Sequence, residues 1–254
     1  MGSDVPYPQH PTKHRWEPLY TASDFQRYAA ARRGGLVPKP PPSVVMVFGS
    51  RWRRYLPRKF RGAYDPRTGV YRANPRAGVV HVDGPGAPFA TIVVEELAAL
   101  GVRRFVIVGL AGALRSSIPP ASLVLCTKAL RDEGTSHHYQ RAAVFARPDP
   151  QLTHLLRTYL ERSGSAFTQG PSWTTDAPYR ETVPEIRRYR RAGILTVEME
   201  AAAVFAVARR LDLRAAALFV VSDHLDESGW VPRFHDTRPA LRHTLGLALA
   251  ALGG

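Results

Sequence analysis

The chain has 254 residues, 44 % of them apolar and 22 % charged, which excludes disordered and collagen-like classes and suits one large domain. Its formal charge of +14 rests almost wholly on arginine, since lysine stands only at positions 13, 39, 59 and 128; phosphate-bearing partners suit such an excess, and GC-rich coding produces it too. No apolar run reaches the roughly 18 residues that span a bilayer, MGSDVPYPQHPTKHRW lacks a signal-peptide core, and a lone Cys126 excludes a disulfide framework or cysteine zinc site; a cytoplasmic protein is expected.

Residues 1–43 form a Pro-rich N-terminal extension with one helical stretch, Ser23–Arg33, that ends at Gly34-Gly35. KPPPS at 39–43 is a stiff connector into a single domain over 44–254. Val44–Phe48, Val79–Val82 and Phe105–Val108 are short β-rich runs closed by glycine. Ala90–Leu100 has helical spacing and stops at Gly101, and Leu123–Leu130 reads as a strand. Asp149-Pro150 opens a helix in the N-cap and N1 arrangement, running to Glu161. Thr182 caps a helix over Pro184–Arg191. Ile194–Val197 is a strand leading into an Ala-rich helix, Glu198–Leu211. Ala215–Val221 is a buried strand, and Pro239–Leu252 closes the chain as a helix. This alternation predicts an α/β fold, a three-layer α/β/α sandwich around a central mixed, mostly parallel sheet. Ligands of such sheets sit beyond the carboxyl ends of the strands, so chemistry is sought there.

Four stretches qualify. Gly84-Pro85-Gly86-Ala87-Pro88 links a strand to a helix but lacks the third glycine of a dinucleotide fingerprint, leaving a tight turn that brings backbone close to a ligand. Gly49-Ser50-Arg51-Trp52-Arg53 is an anion cradle or a solvated basic loop. Its extension to Arg61 interleaves cations with aromatics, as single-stranded nucleic-acid surfaces do, although nucleic acid is not the expected partner. Val197-Glu198-Met199-Glu200 places two acids and a methionine where a buried strand meets a helix. There the carboxylates can accept from sugar hydroxyls, or complement the helix dipole. Ser222-Asp223-His224 ends the most apolar strand; partial burial suits Asp223 to general acid work. No histidine grouping has metal-ligand spacing, so no metal is expected.

Together these segments resemble the nucleoside phosphorylase family that includes uridine phosphorylase and the hexameric purine nucleoside phosphorylases. The resemblance runs from Val44 to the C-terminus through VVMVFGSRWR, DGPGAPFATIVVEELAALG, VGLAGAL, LRDEGTSHHY, TTDAPYRET, VEMEAAAVFAVA and VVSDHL. It implies the nucleoside phosphorylase fold and a phosphate site formed by Gly49, Arg53, Gly109 and Arg61, the last lent across a dimer interface. It implies that Met199 and Glu200 bind ribose with Glu198 beside them, that Tyr179 lines the base pocket, and that His14 reaches a neighbour's ribose. Asp223 would protonate the departing base at N7. Nucleoside and inorganic phosphate are then the partners, with no further cofactor, no membrane, and a dimer-based homo-oligomer, a hexamer.

Two departures bear on the substrate. The family's core phosphate arginine precedes the glycine of VGLAGAL by two positions, where Ile107 stands, and the following Ser or Thr is Leu110. Related nucleosidases, which use water, also lack that arginine. The glutamine-and-arginine loop that reads uracil has no counterpart after Tyr179, which leans toward a purine or a modified base. The expected activity is phosphorolysis of such a nucleoside; hydrolysis is the alternative, and an inactive nucleoside- or nucleic-acid-binding homologue the second. Arg233 and Arg238 are candidates to assist the acid, and Arg51 or Arg115 to replace the missing arginine.

Overall fold

A computed structural model describes residues 10, 12–33, 37–49 and 64–254. In chain order its strands are β1 (Ser43–Phe48), β2 (Tyr64–Asp65), β3 (Val70–Arg72), β4 (Ala77–Val82), β5 (Arg104–Ala113), β6 (Leu123–Asp132), β7 (Phe145–Ala146), β8 (Phe167–Thr175), β9 (Thr196–Glu198), β10 (Arg214–Asp226) and β11 (Gly229–Pro232). The α-helices are α1 (Ala22–Arg33), α2 (Ala87–Ala99), α3 (Pro150–Arg162), α4 (Val183–Arg191), α5 (Ala201–Arg210) and α6 (Arg238–Gly253).

All the strands join one mixed sheet, in which the long pairings of β1 with β4 and β5, β5 with β10, and β6 with β8 are parallel. The sheet also closes on itself. β10 pairs with both β5 and β6, β6 with β8, β8 with β9, and β9 back with β5. A ring of strands therefore forms at one end of an otherwise open sheet, and closure removes the exposed edges there. The ring was not anticipated from sequence.

Two apolar layers hold helices on opposite faces. Ala90, Val94 and Leu97 of α2 and Val204, Phe205 and Val207 of α5 pack with Met46, Ile107 and Phe219 on one face. Leu152, Leu156 and Leu160 of α3 and Leu241, Leu245 and Leu249 of α6 pack with Val45, Val106 and Leu218 on the other. Alternate residues of each strand serve alternate faces, which is why the parallel strands read as unbroken apolar runs. Every residue from Ala201 to Ala208 is buried, because α5 lies between the sheet and α2; alanine permits that close approach.

The helix starts follow local chemistry. Gly86, at φ +119°, precedes α2, and Gly101, at φ +103°, follows it; L side chains rarely take either conformation. The Asp149 carboxylate accepts from the Leu152 N–H at 2.7 Å ahead of Pro150. Thr182 and Glu185 form a capping box on α4. A third cluster of Leu114, Trp173, Ile186, Ile194, Val197 and Leu225 locks α4 against the ring. Among the described residues no helix is long and apolar enough to cross a membrane.

Candidate active site

Gly112 of β5 pairs with Asp223 of β10 on one side and Val197 of β9 on the other. A Cβ there would lie 2.3 Å from Leu225 Cδ1, 3.0 Å from Asp223 Oδ2 and 3.2 Å from Val197 Cγ1. Only a glycine lets these strands bring the SDH and VEME segments so close together. A register shift between Val221 and Asp223 lies at the same place. Nothing in the sequence singled out Gly112; the clue was a second glycine in VGLAGAL, and the resemblance drew attention to Gly109 instead. Gly109 lies mid-strand opposite Phe219, with room for a Cβ at 3.7 Å from Ile107 Cγ2.

The two acids of VEME have different environments. Glu198 ends β9 and is saturated by protein donors: Thr174 Oγ1 at 2.5 Å on Oε1, with the N–H groups of Glu200 at 2.8 Å and Ala201 at 2.7 Å on Oε2. It therefore caps the start of α5, so the helix begins at Ala201 rather than at Glu198. Glu200 accepts the Gly86 N–H at 2.6 Å. The glycine turn before α2 thus holds a carboxylate of its own chain. Burial raises both glutamates above the ordinary carboxylate range, and the neighbouring Glu198 charge helps push Glu200 up to about 8. Met199 is half-buried between them.

Asp223 is buried and anchored at both oxygens, by Ser222 Oγ at 2.5 Å on Oδ1 and Trp230 Nε1 at 2.8 Å on Oδ2. Trp230 belongs to β11, a strand the sequence reading missed, and it occupies the acid where an arginine was sought. Arg233 instead pairs with Asp236 at 2.9 Å. Glu181, also unanticipated, lies between the 3₁₀ turn Pro178–Arg180 and the cap of α4. Burial, Asp223 and Glu185 raise its carboxyl to about 7. Tyr179 is fully exposed on that turn, and in this chain it packs against no base-side wall.

On the anion side, Gly49 has φ +86°, its N–H bonds Val82 O at 3.1 Å and its carbonyl meets His81 Nε2 at 2.6 Å. Arg53 and Arg61, together with Arg51, lie outside the described residues. Ile107 is wholly buried in the α2/α5 core layer, and Leu110 packs toward the α3/α6 layer, so neither offers a donor. Arg115 donates to the Arg190 carbonyl at 3.1 Å. His14 lines a separate cavity with Arg15, Tyr139 and Arg141. Among the described residues no cluster of His, Cys, Asp and Glu has the make-up of a metal site.

The strand ends of the sheet thus carry an anchored aspartate and, beside it in the sheet, the strand that leads into half-buried Met199 and buried Glu200. The chain belongs to the Phosphorylase superfamily, whose family model matches residues 57–251. A guanosine phosphorylase of Halorubrum lacusprofundi is 38 % identical over 142 residues, covering 56 % of this chain and 59 % of its own length. A uridine phosphorylase of Thermococcus kodakarensis is 31 % identical over 219 residues, 79 % of this chain and 78 % of its own length. A DeoD-type purine nucleoside phosphorylase of Geobacillus kaustophilus is 32 % identical over 162 residues, 62 % of this chain and 66 % of its own length. The crystal structure of uridine phosphorylase from Vibrio fischeri superposes with a TM-score of 0.67, covering 85 % of this chain and 93 % of that one at 23 % identity, and shares the fold. The mixed α/β architecture with a large mixed sheet is that of the superfamily.

Proposed function

We propose that the chain cleaves the N-ribosidic bond of a purine or modified-purine nucleoside with phosphate, giving free base and ribose 1-phosphate. The observation that supports this reading is the junction at Gly112, where β10 brings Asp223 beside β9, the strand that runs directly into Met199 and Glu200. Glu200 accepts from the ribose 2′- and 3′-hydroxyls while Met199 covers the sugar. As the C1′–N bond breaks, its electron pair passes to the base and Asp223 delivers a proton to N7. A phosphate oxygen held by Gly49, Gly109, Arg53 and a neighbour's Arg61 forms the new bond to C1′. Names of relatives acting on guanosine, uridine and purine nucleosides support the reaction class.

A second reading, hydrolysis by water, is supported by Ile107 and Leu110, apolar residues at the positions where the family resemblance implies an arginine and a hydroxyl for phosphate. Following base release from a nucleoside panel while titrating phosphate from zero separates the two. Phosphorolysis gives ribose 1-phosphate and a rate that climbs with phosphate, with a weak KM because of those two residues. Free ribose at a rate indifferent to phosphate selects hydrolysis.

A further inference from the structure

We infer that Trp230 is a positioning residue for the acid. Its indole N–H fixes Oδ2 of Asp223 as an accepting oxygen, leaves Oδ1 to carry the proton, and bonds more strongly once that proton departs. The inference rests on the nucleoside-cleaving reading above and deepens the acid's part in it.

The hairpin at the end of the sheet places the indole. β10 and β11 pair antiparallel, with Asp223 opposite Pro232 and Leu225 opposite Trp230. Alternation puts Asp223 and Leu225 on one face, so Trp230 is the diagonal neighbour of Asp223, within reach of an aromatic side chain. Pro232, directly opposite, has no N–H to offer. In the turn between the strands Asp226 Oδ1 accepts the Ser228 N–H at 2.8 Å. At the other end the Arg233 N–H bonds Ser222 O at 2.7 Å, and the Phe234 ring lies 6.3 Å from the indole. Nε1 thereby stands 2.8 Å from Oδ2. The ring itself is 59 % exposed, so little of the core depends on it, and its N–H edge is what the site uses.

Donor chemistry sets the roles of the two oxygens. An indole nitrogen donates and never accepts, so Oδ2 faces a donor in either protonation state of Asp223. The Ser222 hydroxyl, 2.5 Å from Oδ1, donates to a carboxylate and can accept from a carboxylic acid. Ser222 lies at the register shift of β10, an irregularity that re-aims side chains and lets two consecutive ones meet. A proton on Asp223 therefore resides on Oδ1. From there it passes to N7 of the base as the electron pair of the breaking C1′–N bond enters the purine ring. Asp223 is then a carboxylate, and the Trp230 bond becomes charge-assisted, roughly twice as strong as the neutral one. A bond that strengthens along the reaction raises kcat and leaves KM nearly alone.

The test compares two kinds of leaving group. The first is the purine nucleoside turned over fastest among guanosine, inosine and adenosine, whose base leaves with a proton. The second is 7-methylguanosine, whose N7 already carries the charge, with 4-nitrophenyl ribofuranoside as another substrate that needs no acid. Native protein, Trp230→Phe, Trp230→Leu and Asp223→Asn are measured at saturating phosphate, and far-UV dichroism with melting curves checks folding. Each Trp230 variant should lower kcat for the unmethylated nucleoside about ten- to hundredfold, the size of one hydrogen bond to a charged group, with KM within about threefold of native. Turnover of the two activated ribosides should stay within about threefold of native, and Asp223→Asn should show the same selectivity. A merely structural role, or stacking on the base, moves the unmethylated nucleoside and 7-methylguanosine together. Equal loss on both in the folded Trp230 variants, or no loss on either, overturns the inference, while a selective Asp223→Asn keeps the acid. Equal loss in Asp223→Asn overturns the acid assignment and the inference with it. Native protein that cleaves a purine nucleoside but neither activated riboside assigns both residues to binding and also overturns the inference. Cleavage of none of these substrates overturns the reading on which it rests.

Discussion

Glu200 is where function and stability oppose each other most directly. It is 6 % exposed, close to Glu198, and accepts a hydrogen bond from the Gly86 N–H. Its carboxyl is raised from the ordinary 4.5 to about 8 by burial first and Glu198 second. Below about pH 4.5 both folded and unfolded chains carry the proton. Between 4.5 and 8 the folded chain keeps a proton that the unfolded chain has released, so stability falls as pH rises through this window. Glu200→Gln removes the titration and retains the acceptor for Gly86. The expected outcome is a melting temperature close to native at pH 4.5 and several degrees above it at pH 8.5, since about 1 kcal/mol moves a chain of this size by roughly 2–4 °C. The same variant should lose about a hundredfold in kcat/KM through the ribose hydroxyls. Melting curves at the two pH values and initial rates check both halves; a variant less stable than native at pH 8.5 refutes the electrostatic account.

At the scale of elements, β5 is the piece on which the site turns. It carries Ile107 into the core, then Gly112 between β9 and β10. Gly112→Ala must push Leu225 out of a packed cluster or move the Asp223 carboxylate, because both stand within 3.0 Å of the added carbon. Overpacking of this kind costs about 1–3 kcal/mol, and a displacement near 1 Å at a reacting group can cost about a hundredfold in rate. Gly112→Ala should therefore fold with a lowered melting temperature and at least a hundredfold lower kcat/KM, and Leu225→Ala added to it should restore part of both. Native turnover in Gly112→Ala would show that the junction tolerates movement.

The elements also explain what could be read from residues alone. β1, β4, β5, β6 and β10 announce themselves as apolar runs because helices cover both their faces. β8 does not. Its sequence FTQGPSWTT contains Gly-Pro, and its buried end is polar, with Ser172, Thr174 and Thr175 all buried. Polar residues buried against carboxylates carry no hydropathy signal, so the strand that orients Glu198 through Thr174 was invisible. Asp223, Met199 and Glu200 were singled out because strand ends concentrate chemistry. Trp230 was not, since nothing local shows that a two-strand tip closes on that aspartate.

For the whole molecule, the outstanding question is what covers α2. Phe89 and Ile92, three residues apart and so on one helix face, are 41 % and 51 % exposed. That helix follows Gly86, the donor to Glu200, so whatever covers the pair lies within about two turns of the Glu200 carboxylate. The family resemblance assigns Arg61 and His14 to a neighbour's site, and His14 here lines a cavity away from Asp223 and Glu200. A second copy seated on this face meets both conditions, and a dimer-based hexamer is the expected assembly. Ile92→Lys would place an ammonium group in that contact, where an unpaired charge is strongly disfavoured. Sedimentation velocity should show native protein as an oligomer and Ile92→Lys as a smaller species. Turnover should fall in parallel, because each site then loses what its neighbour lends. If native protein sediments as a fully active species of 28.1 kDa, the chain completes its own site and the exposed pair on α2 has another role.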